Sequence, residues 1–565
     1  MTLVPPNDCS VLIVGGGPCG LMLANELGRR GVSAVLVDGK PSTAFNPQAN
    51  ATQARTMEHF RRLGFAEEVR SLGLPANFPT DIAYYTRFAK YELARFQLPS
   101  SSEARSLARK LSGSWSAAEL PHRISQKYVE AVLRKHAERL AGISIHYGWR
   151  LVDFLEHPDG VEARLESVAD GQPVTIRAAY LVGADGSRSF VRQRLGFRYS
   201  GAAGEVRDFF GGQMYAVYLR APQFYERIPH APAWMNVTFN RERRAILVPV
   251  DGQGEFAFHT QLRAHEHQDG IDEVGAKALF HAAVGAPIDL TVLSCDTWTA
   301  GYALVAERFQ KGRIFLAGDA VHLFTPTGGL GYNTAVEDAV NLGWKLAAVL
   351  KGQGGAGLLD SYELERQPLA VRNTGYARRF ADSLGVEPPA EIEEPTLEGE
   401  AARARTGAYL EAHARSEFNI PGITFGGRYD RSPIIVSDGT EPPPDSPNSY
   451  TPSACPGGRP PHLWLPDGRS LFDAFGFEWT LLRLGPRVRT AQNIQRAASA
   501  NGIELKIVDV PGDEARDLYG ADLALIRPDQ IVAWRGDDGL EAMPALATAL
   551  GKDQRYDLGI RFGSE

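Results

Sequence analysis

Cysteine is scarce in this sequence, and its placement excludes two kinds of stabilising cross-link. The four cysteines are widely separated, with no CxxC pair and no zinc-type spacing; they are Cys9, Cys19, Cys295 and Cys455. A disulfide framework and a structural zinc site are therefore not expected, which is typical of a protein in a reducing cytosol. We expect a cytoplasmic protein without a metal site. No serine or cysteine arrangement indicates nucleophilic catalysis.

A long apolar run and an excess of positive charge are also missing. No unbroken apolar stretch reaches the length of about 20 residues that a membrane-spanning helix needs. The N-terminus has no basic region before an apolar one, so a signal peptide is not expected. The net charge is −7 without a basic patch, which argues against a nucleic-acid partner. With 565 residues, 44% of them hydrophobic, the chain can form more than one domain with a large core.

The first feature that is present is a glycine-rich turn near the N-terminus. Apolar runs over residues 11–14 and 32–37 predict strands, with a helix over residues 21–30 between them. The second strand ends at Asp38, and the turn has the GxGxxG spacing with Gly15, Gly17 and Gly20. In such a βαβ unit the glycines allow a tight turn, the approach of a pyrophosphate and close helix packing, while the carboxylate accepts from a ribose. We favour nucleotide binding over a glycine-rich turn in an unrelated α/β protein.

A second glycine-rich stretch, residues 313–344, repeats the order of strand, loop and helix. Residues 314–317 predict a buried strand that breaks at Gly318 and Asp319. The helix that closes the stretch has an apolar face formed by Ala335, Ala339, Leu342 and Leu346. Because glycines let a ligand approach the backbone and a helix N-terminus offers free N–H groups, this stretch predicts an anion site.

Three further polar residues stand at candidate ligand positions. Asp185 follows a short predicted strand and, taken alone, is a turn aspartate. Gln126 lies in the first turn of a helix predicted to begin near Ser125, where its amide could reach a bound nucleotide. Arg55 is either a phosphate or substrate contact or a solvated arginine at the start of a helix, and the sequence favours neither.

The chain between and after these motifs predicts three other regions. From residue 207 to 300, alternation with a period of two predicts a mostly antiparallel sheet inserted between two halves of the nucleotide domain, where it would form a ligand pocket. Residues 80–98 are rich in aromatics, for which sheet core is favoured over a pocket wall. Residues 358–379 predict a helix kinked at Pro368. Residues 432–461 hold nine prolines and predict a linker to a small α/β unit.

Three motifs, taken together, carry a resemblance to a known family. They are GGGPCG with Asp38, GADGSRS at residues 183–189, and GDAVHLFTPTGGLGYN at residues 318–333. Their order and separation resemble the FAD-dependent aromatic hydroxylases, which are single-component flavoprotein monooxygenases, over roughly residues 8–380. Residues 461–476 and 525–536 look like the thioredoxin-like C-terminal domain of the phenol, 3-hydroxyphenylpropionate and polyketide hydroxylase branches. We expect no redox role for that domain because it has no CxxC pair.

The resemblance implies an α/β fold with a Rossmann-like FAD-binding domain, an inserted and mostly antiparallel β-sheet substrate domain, and a C-terminal thioredoxin-like domain. The implied boundaries are 1–80, 105–190 and 300–390 for the FAD-binding domain, 81–104 and 191–299 for the substrate domain, 391–460 for a linker and 461–565 for the C-terminal domain. The resemblance also implies a homodimer.

Roles for individual residues also come from the resemblance. At the adenosine end of FAD they are Gly15, Gly17 and Gly20 at the pyrophosphate, Asp38 at the ribose, Gln126 near the phosphate and ribose, and Arg55 as the family arginine. At the flavin end they are Asp319 at a ribitol hydroxyl, Pro326, and Gly331, Tyr332 and Asn333 at the ring edge. Asp185 would serve both FAD and NAD(P)H. Two departures from the family leave open how the phosphates or NAD(P)H are held: Gly39 precedes Lys40, and Gln48 replaces an arginine.

The chemistry implied is hydroxylation of an electron-rich aromatic ring. In the family, NAD(P)H reduces FAD, oxygen adds at flavin C4a, and the distal oxygen of the hydroperoxide passes to a phenolic or polycyclic substrate ortho or para to a hydroxyl. The protein would position the substrate, exclude water and help to deprotonate the phenol. The base is not identified. Pocket candidates are Tyr215, Trp234, His259 and Tyr332, each favoured as a core residue, together with Pro326; His322 is favoured as structural.

Two alternatives remain open at this point. One is a flavin reductase or halogenase on the same scaffold, although the halogenase WxWxIP pattern is absent. The other is a non-catalytic FAD-binding protein, since one fold can host different functions. The sequence does not identify the aromatic substrate, or NADH against NADPH.

Overall fold

The computed structural model describes residues 4–203, 209–263, 266, 272–486 and 491–552. Its first part alternates strands and helices. The strands are β1 (Asp8–Val14), β2 (Ala34–Asp38), β3 (Ala51–Thr52), β4 (Ile82–Tyr85), β5 (Glu92–Phe96), β6 (His122–Arg123), β7 (Ile143–Tyr147), β8 (Trp149–His157), β9 (Gly160–Ser167) and β10 (Pro173–Gly183). The helices are α1 (Pro18–Arg29), α2 (Ala54–Leu63), α3 (Ala66–Arg70), α4 (Ser101–Leu107), α5 (Gln126–Ala137) and α6 (Phe190–Arg194).

The middle of the chain is rich in strands and ends in two long helices. The strands are β11 (Tyr199–Ala202), β12 (Gly212–Arg220), β13 (Met235–Thr238), β14 (Ala245–Pro249), β15 (Glu255–Gln261), β16 (Thr291–Ala300), β17 (Ala303–Ala306), β18 (Gln310–Lys311), β19 (Ile314–Leu316) and β20 (His322–Leu323). The helices are α7 (Phe224–Arg227), α8 (Glu273–Val284), α9 (Gly331–Leu350) and α10 (Gly357–Leu384). Helix α10 is continuous through Pro368, so the proline does not end it.

The last part begins with helices and ends with a small sheet. Its elements are α11 (Leu397–Phe418), α12 (Pro421–Phe425), α13 (Leu471–Ala474), β21 (Trp479–Leu484), α14 (Gln492–Ala500), β22 (Leu505–Val510), α15 (Asp513–Tyr519), β23 (Leu523–Ile526), β24 (Val532–Gly536) and α16 (Ala542–Ala549). The sheet order is β22-β21-β23-β24, with β22 parallel to β21 and the other pairs antiparallel.

The central sheet brings the sequence motifs to one edge. Its order is β18-β19-β10-β1-β2-β7, and β1, β2, β10 and β19 are parallel. Val14 pairs with Val37 and with Gly183, and Gly183 pairs with Leu316. The carboxyl ends of these four strands therefore meet at one edge, where open α/β sheets bind ligands. All three motifs begin there.

Helices α1 and α9 pack together beside this sheet. A Cβ on Gly343 of α9 would lie 2.6 Å from the Cβ of Glu26 in α1, so only glycine allows the two helices to approach this closely. The apolar face predicted for α9 is buried at Ala335, Ala339, Leu342 and Leu346.

A second sheet has the order β16-β12-β15-β14-β13-β4-β5 and is antiparallel except for the pair β13 and β4. The aromatic residues 80–98 supply β4 and β5, so they form sheet as favoured. One face packs on α8, where the rings of Phe258 and Phe280 lie 5.4 Å apart. The opposite face contacts α11 and the first part of the chain; there Trp234 meets Phe418 at 5.9 Å, and Ser294 Oγ donates to Asn46 Oδ1 at 2.6 Å.

The segment predicted as a linker, residues 391–460, is partly a structural element. Helix α11 lies within it, and its residues Leu410, Ala414 and Phe418 are buried against the second sheet. The acidic residues at its start are mostly exposed, as expected. The helix was not predicted because its charged residues leave only a weak hydrophobic pattern. The proline-rich residues 432–461 hold neither a helix nor a strand.

Candidate functional site

The glycine turn between β1 and α1 is shaped by contacts between backbone atoms. Gly15 has a φ of +115°, and a Cβ there would lie 2.1 Å from the carbonyl oxygen of Ala184. A Cβ on Gly20 would lie 2.0 Å from the carbonyl oxygen of Gly15. Gly17 has no neighbouring atom within 4 Å of its Cβ position. Two of the three glycines close the turn, and Gly17 leaves one side of it open.

Asp38 fixes the other side of this turn. Its Oδ2 accepts from the backbone N–H of Gly16 at 2.7 Å, and its Oδ1 accepts from the N–H of Lys40 at 2.8 Å. The hydroxyl of Tyr147 donates to the carbonyl oxygen of Gly16 at 3.0 Å. A carboxylate has about four acceptor positions, so Asp38 keeps capacity for further donors such as ribose hydroxyls.

Gln126 begins α5 and ties down the segment before β3. Its N–H donates to the carbonyl oxygen of Ala49 at 2.7 Å, and its side-chain Nε2 donates to Glu130 Oε1 at 2.8 Å and to Gln48 Oε1 at 3.3 Å. Glu130 in turn accepts from the N–H of Ala44 at 2.8 Å, and burial raises the pKa of this carboxyl. The glutamine that replaces a family arginine is thus held by the predicted site residue itself.

Asp185 has one carboxylate oxygen without a partner. Its Oδ2 accepts from the N–H of Val191 at 3.1 Å, whereas its buried Oδ1 has no hydrogen-bond partner among the described residues. Burial raises the pKa of Asp185. Because Ala184 lies against Gly15, this oxygen stands next to the glycine turn. A buried acceptor without a donor is unusual in a folded protein and is the kind of atom that a ligand satisfies.

The second glycine-rich stretch meets the first at Gly318. This residue has a φ of +64°, and a Cβ on it would lie 3.2 Å from the Cβ of Cys19 and 3.3 Å from that of Ala335. Cys19 is in the first turn of α1 and Ala335 is near the start of α9. The two helix N-termini therefore converge on one point, and each adds a partial positive charge. Cys19 and Ala335 are 316 positions apart in the sequence. The central sheet brings the segments that carry them together.

Tyr332 and Asn333 use their side chains to hold the loop. Asn333 Oδ1 accepts from the N–H of Gln53 at 2.8 Å, and its Nδ2 donates to the carbonyl oxygens of Ala51 and Gly329 at 2.8 and 2.6 Å. The hydroxyl of Tyr332 lies 2.8 Å from Thr52 Oγ1. These side chains are already engaged, so a ligand at this loop would meet backbone groups of residues 331–333, as the resemblance implies.

The residues between Gly318 and the loop differ in exposure. Asp319 and Pro326 are exposed, while His322 is fully buried. The interpretation of His322 as structural agrees with its position, although its partner is not Asp319: its Nε2 lies 2.7 Å from Asp338 Oδ2.

Asp338 and Arg366 were missed in the sequence. Both are fully buried, and Arg366 Nε donates to Asp338 Oδ1 at 2.7 Å. Burial opposes ionisation of Asp338, but His322 and Arg366 outweigh it and lower the pKa of Asp338. The signal was available: Asp338 stands three residues after Ala335, next to the apolar face of the helix, where an unpaired charge is costly.

Arg55 lies at a buried junction with the C-terminal part of the chain. It is buried rather than solvated, and its Nη1 donates to Glu58 Oε2 at 3.0 Å. Its Nη2 donates to the carbonyl oxygens of Asp529 and Gln530 at 2.9 and 3.1 Å. A cavity of about 50 Å³ lies beside it, bordered also by Asn333, Asn341 and Tyr429. Arg55 therefore joins the first part of the chain to the C-terminal sheet.

The pocket candidates fall on different faces of the second sheet. Tyr215 packs with the residues that face α8, away from the central sheet, which agrees with a core role. Trp234 is buried on the opposite face, with the guanidinium of Arg123 4.3 Å from its ring centroid. His259 is half-buried beside Trp298, and its Nδ1 has no partner among the described residues. Burial lowers the pKa of His259 to about 4, so the ring is neutral near pH 7.

Two negative findings apply to the described residues alone. No group of three or more histidine, cysteine, aspartate or glutamate residues in them could hold a metal ion. None of their helices is both long enough and apolar enough to cross a membrane.

Family models match most of the chain. One, described as an FAD binding domain, matches residues 8–376, and another, described as the C-terminal part of an aromatic-ring hydroxylase, matches residues 453–552. Aklavinone 12-hydroxylase RdmE of Streptomyces purpurascens is 31% identical over 561 residues, which cover 94% of this chain and 96% of the relative. Phenol 2-monooxygenase of a Pseudomonas species is 30% identical over 564 residues, covering 94% and 90% respectively.

Solved structures with the same fold match over nearly the whole length. The rebeccamycin biosynthetic enzyme RebC with reduced flavin superposes with a TM-score of 0.85 at 31% identity, covering 97% of this chain and 100% of that one. The flavin-dependent monooxygenase PieE, in complex with FAD and substrate, gives a TM-score of 0.85 at 29% identity with the same coverage.

Proposed function

The chain belongs to the FAD-dependent aromatic-ring hydroxylases, and from this premise we propose that it hydroxylates a phenolic or polycyclic aromatic substrate with O₂ and NAD(P)H. In this reaction one oxygen atom of O₂ replaces a ring hydrogen as a hydroxyl group. The other oxygen leaves as water, and NAD(P)H together with a proton supplies the electrons. The substrate classes follow from relatives whose names specify phenol and aklavinone as substrates.

The convergence of two helix N-termini on Gly318 is the observation that carries the proposal. It supports one ligand that spans the glycine turn and the loop of residues 318–333. The residues fit FAD in two further respects: the turn is open at Gly17, and the buried Oδ1 of Asp185 has no donor within the described part of the chain. When bound, FAD supplies the electron transfer and the oxygen chemistry, while the protein supplies binding, orientation and electrostatics.

We assign the cofactor contacts to residues at the carboxyl edge of the central sheet. Residues for the adenosine and pyrophosphate end are Gly15, Gly17, Gly20, Asp38 and Gln126. Residues for the flavin end are Asp319, Pro326 and the backbone of Gly331, Tyr332 and Asn333, while Asp185, beside the glycine turn, would serve both FAD and NAD(P)H. Arg55 leaves this set because its guanidinium is engaged by Glu58 and by carbonyl groups of the C-terminal sheet.

The substrate would lie between the central sheet and the face of the second sheet that contacts it. On this face Met214 pairs with Trp298 and Ala216 with His259. The apolar residues would exclude water from the reaction. His259 would orient a substrate hydroxyl through Nδ1, because a ring with a pKa of about 4 is too weak a base to remove the proton of a phenol.

The domain organisation is part of the same proposal. The FAD-binding and substrate domains would have the boundaries given above, with α11 added to the substrate side. The order β22-β21-β23-β24, with one parallel pair and helices α14, α15 and α16 between and after the strands, supports a thioredoxin-like C-terminal domain. A homodimer and a cytoplasmic location stay predictions.

A substrate panel tests the function. The purified protein should be yellow and release FAD on denaturation. Phenols, phenylpropanoids and polycyclic polyketides would then be scored for stimulated NAD(P)H oxidation and for a product heavier by one oxygen. Rapid NAD(P)H oxidation without any oxygenated product would instead indicate a reductase, and bound FAD without stimulated turnover across the panel would indicate a non-catalytic protein.

A further inference from the structure

One buried carboxylate joins both ends of the turn that carries Asp319. Asp338 Oδ2 accepts from the backbone N–H of Gly318 at 3.1 Å and contacts His322 Nε2 at 2.7 Å. The peptide from Gly318 to His322 is therefore fixed at its first and last residues by a single side chain. Asp319 lies between these two contacts and is exposed, so its position depends on backbone contacts, namely the two ends of the turn and its own carbonyl oxygen, which accepts from the hydroxyl of Tyr199.

Arg366 of α10 fixes this carboxylate from the other side. Its Nε donates to Asp338 Oδ1 at 2.7 Å, and its Nη2 donates to the carbonyl oxygen of Thr334, in the first turn of α9, at 3.1 Å. Its Nη1 contacts the hydroxyl of Tyr429 at 3.2 Å. We name Asp338, His322, Arg366 and Tyr429 the anchor cluster. It ties together the turn, the start of α9 and the segment that leads to the C-terminal sheet.

Burial makes the loss of any of these contacts costly. Asp338, His322 and Arg366 are fully buried, so water cannot replace a lost partner, and a charged hydrogen bond contributes more there than at the surface. Two other side chains hold the middle of the turn: the hydroxyl of Tyr199 donates to the carbonyl oxygen of Asp319, and Arg192 Nη1 donates to that of Ala320 at 3.2 Å. The anchor cluster fixes the two ends of the turn, and it is the group that also contacts the start of α9.

From this geometry we infer that Asp338 and Arg366 are positioning residues, which place Gly318, Asp319 and the first turn of α9 against the flavin end of the cofactor. Neither residue needs to touch the cofactor. The inference rests on the proposed function, since it concerns the same site, and it adds that the C-terminal segment supports this site through Tyr429.

The direct test is Asp338→Asn, with Glu337→Gln as its matched control. An asparagine keeps the shape but turns one acceptor into a donor, which then faces either Arg366 or the turn. We expect the FAD dissociation constant to rise about 10- to 100-fold, with a shifted visible spectrum and midpoint potential of the flavin that remains bound. Glu337 also contacts Arg366, at 3.1 Å, but does not contact the turn, so its variant should keep wild-type affinity, spectrum and potential.

The spectrum and potential separate positioning from general stability. A variant that is only less stable would lower the melting temperature and leave both flavin properties unchanged, and that result would overturn the inference. Should Asp338→Asn fail to fold, Arg366→Lys decides, because a lysine keeps the charge but loses the fork that contacts Asp338 and the carbonyl oxygen of Thr334 together. It should raise the FAD dissociation constant about 2- to 10-fold, and an unchanged constant and spectrum would overturn the inference. A wild-type protein that binds no FAD would overturn the proposed function as well.

Discussion

The two glycine-rich segments at the carboxyl edge of the central sheet are held in opposite ways. The turn of residues 15–20 is closed by backbone contacts that leave no room for a Cβ at Gly15 or Gly20. The loop of residues 318–333 is held by polar side chains, among them Asn333, Asp338 and Arg366. The shape of the first segment depends on glycines that have no Cβ. The shape of the second depends on hydrogen bonds with side chains that are distant in the sequence.

This difference indicates which substitutions would disrupt each half of the site. The glycine turn tolerates no Cβ at Gly15 or Gly20, and Asp38 and Tyr147 hold it only through the backbone of Gly16. The loop of residues 318–333 has more polar side-chain contacts and is therefore more sensitive to substitutions outside itself. One half of the site is determined mainly by close backbone packing, and the other half mainly by buried polar side chains.

The largest effect should come from filling the glycine turn. Gly15→Ala places a Cβ 2.1 Å from a carbonyl oxygen, in a residue whose φ is +115°. We expect the free energy of unfolding of the apoprotein to fall by about 3 kcal/mol or more, as measured by urea denaturation.

Gly17→Ala is the matched control for this variant. Its Cβ position has no atom within 4 Å, so apoprotein stability should change by less than about 1 kcal/mol while FAD affinity falls. Equal stability of the Gly15 and Gly17 variants would mean that the turn is not sterically closed.

The next substitution tests whether Arg55 belongs to the cofactor site or to the junction with the C-terminal part of the chain. Arg55→Ala removes buried contacts with Glu58, Asp529 and Gln530, and should cost about 2–3 kcal/mol of unfolding free energy. FAD affinity of the folded protein should not change. Arg150→Ala, which removes an exposed pair with Glu166, is the control and should cost less than about 1 kcal/mol. If a stably folded Arg55 variant lost FAD, Arg55 would have to be assigned to the cofactor site after all.

Asp319→Ala tests the exposed part of the loop. The carboxylate is exposed, so the melting temperature of the apoprotein should stay the same. We expect the binding free energy for FAD to weaken by about 2 kcal/mol, the size of a lost charged hydrogen bond, and most bound flavin to be lost on dilution. Fluorescence titration measures it, with the exposed Asp159→Ala as control. Full flavin occupancy in the Asp319 variant would show that this loop is wrongly assigned.

The smallest expected effect is a difference between the two segments in how their contribution to stability depends on pH. Because the pKa of Asp338 is lowered in the folded protein, this group contributes stability above its unfolded pKa of about 3.9 and loses it as the pH falls through the lower folded pKa. Residues 15–20 themselves contain no carboxylate.

We expect the melting temperature of the apoprotein to fall more steeply between about pH 5 and pH 3 in the wild type than in Asp338→Asn. The Gly17 variant should follow the wild-type curve. Parallel curves for the wild type and the Asp338 variant would mean that the ionised carboxylate does not stabilise the loop.

Much of the fold could be predicted because local patterns determine it. The strands before Gly15, Asp185 and Gly318 are predicted from short apolar runs that are followed by glycine or aspartate, and β1, β10 and β19 lie there. Helix α11 was missed because its apolar positions, such as Leu410 and Phe418, are spread among charged residues and face a sheet that the sequence does not reveal.

The candidate site was only partly predictable for a similar reason. Motif spacing identified residues at the edge of the sheet, whereas Arg55 was a candidate through its place at the start of a helix and through the resemblance, and it contacts the C-terminal part of the chain. A side chain's spacing shows that it can reach a ligand, and only its neighbours in space decide whether it does.

The sequence by itself determined where the chain turns, because glycine spacing and apolar runs act over a few residues. It also determined the family, since three motifs in one order are specific. Only the tertiary structure decided that Asp338, His322 and Arg366 meet under the turn that carries Asp319, and that Tyr429 connects them to the C-terminal part. The physical reason is that burial gives a charged group its partners, and those partners come from helices and strands whose packing no short stretch of sequence contains.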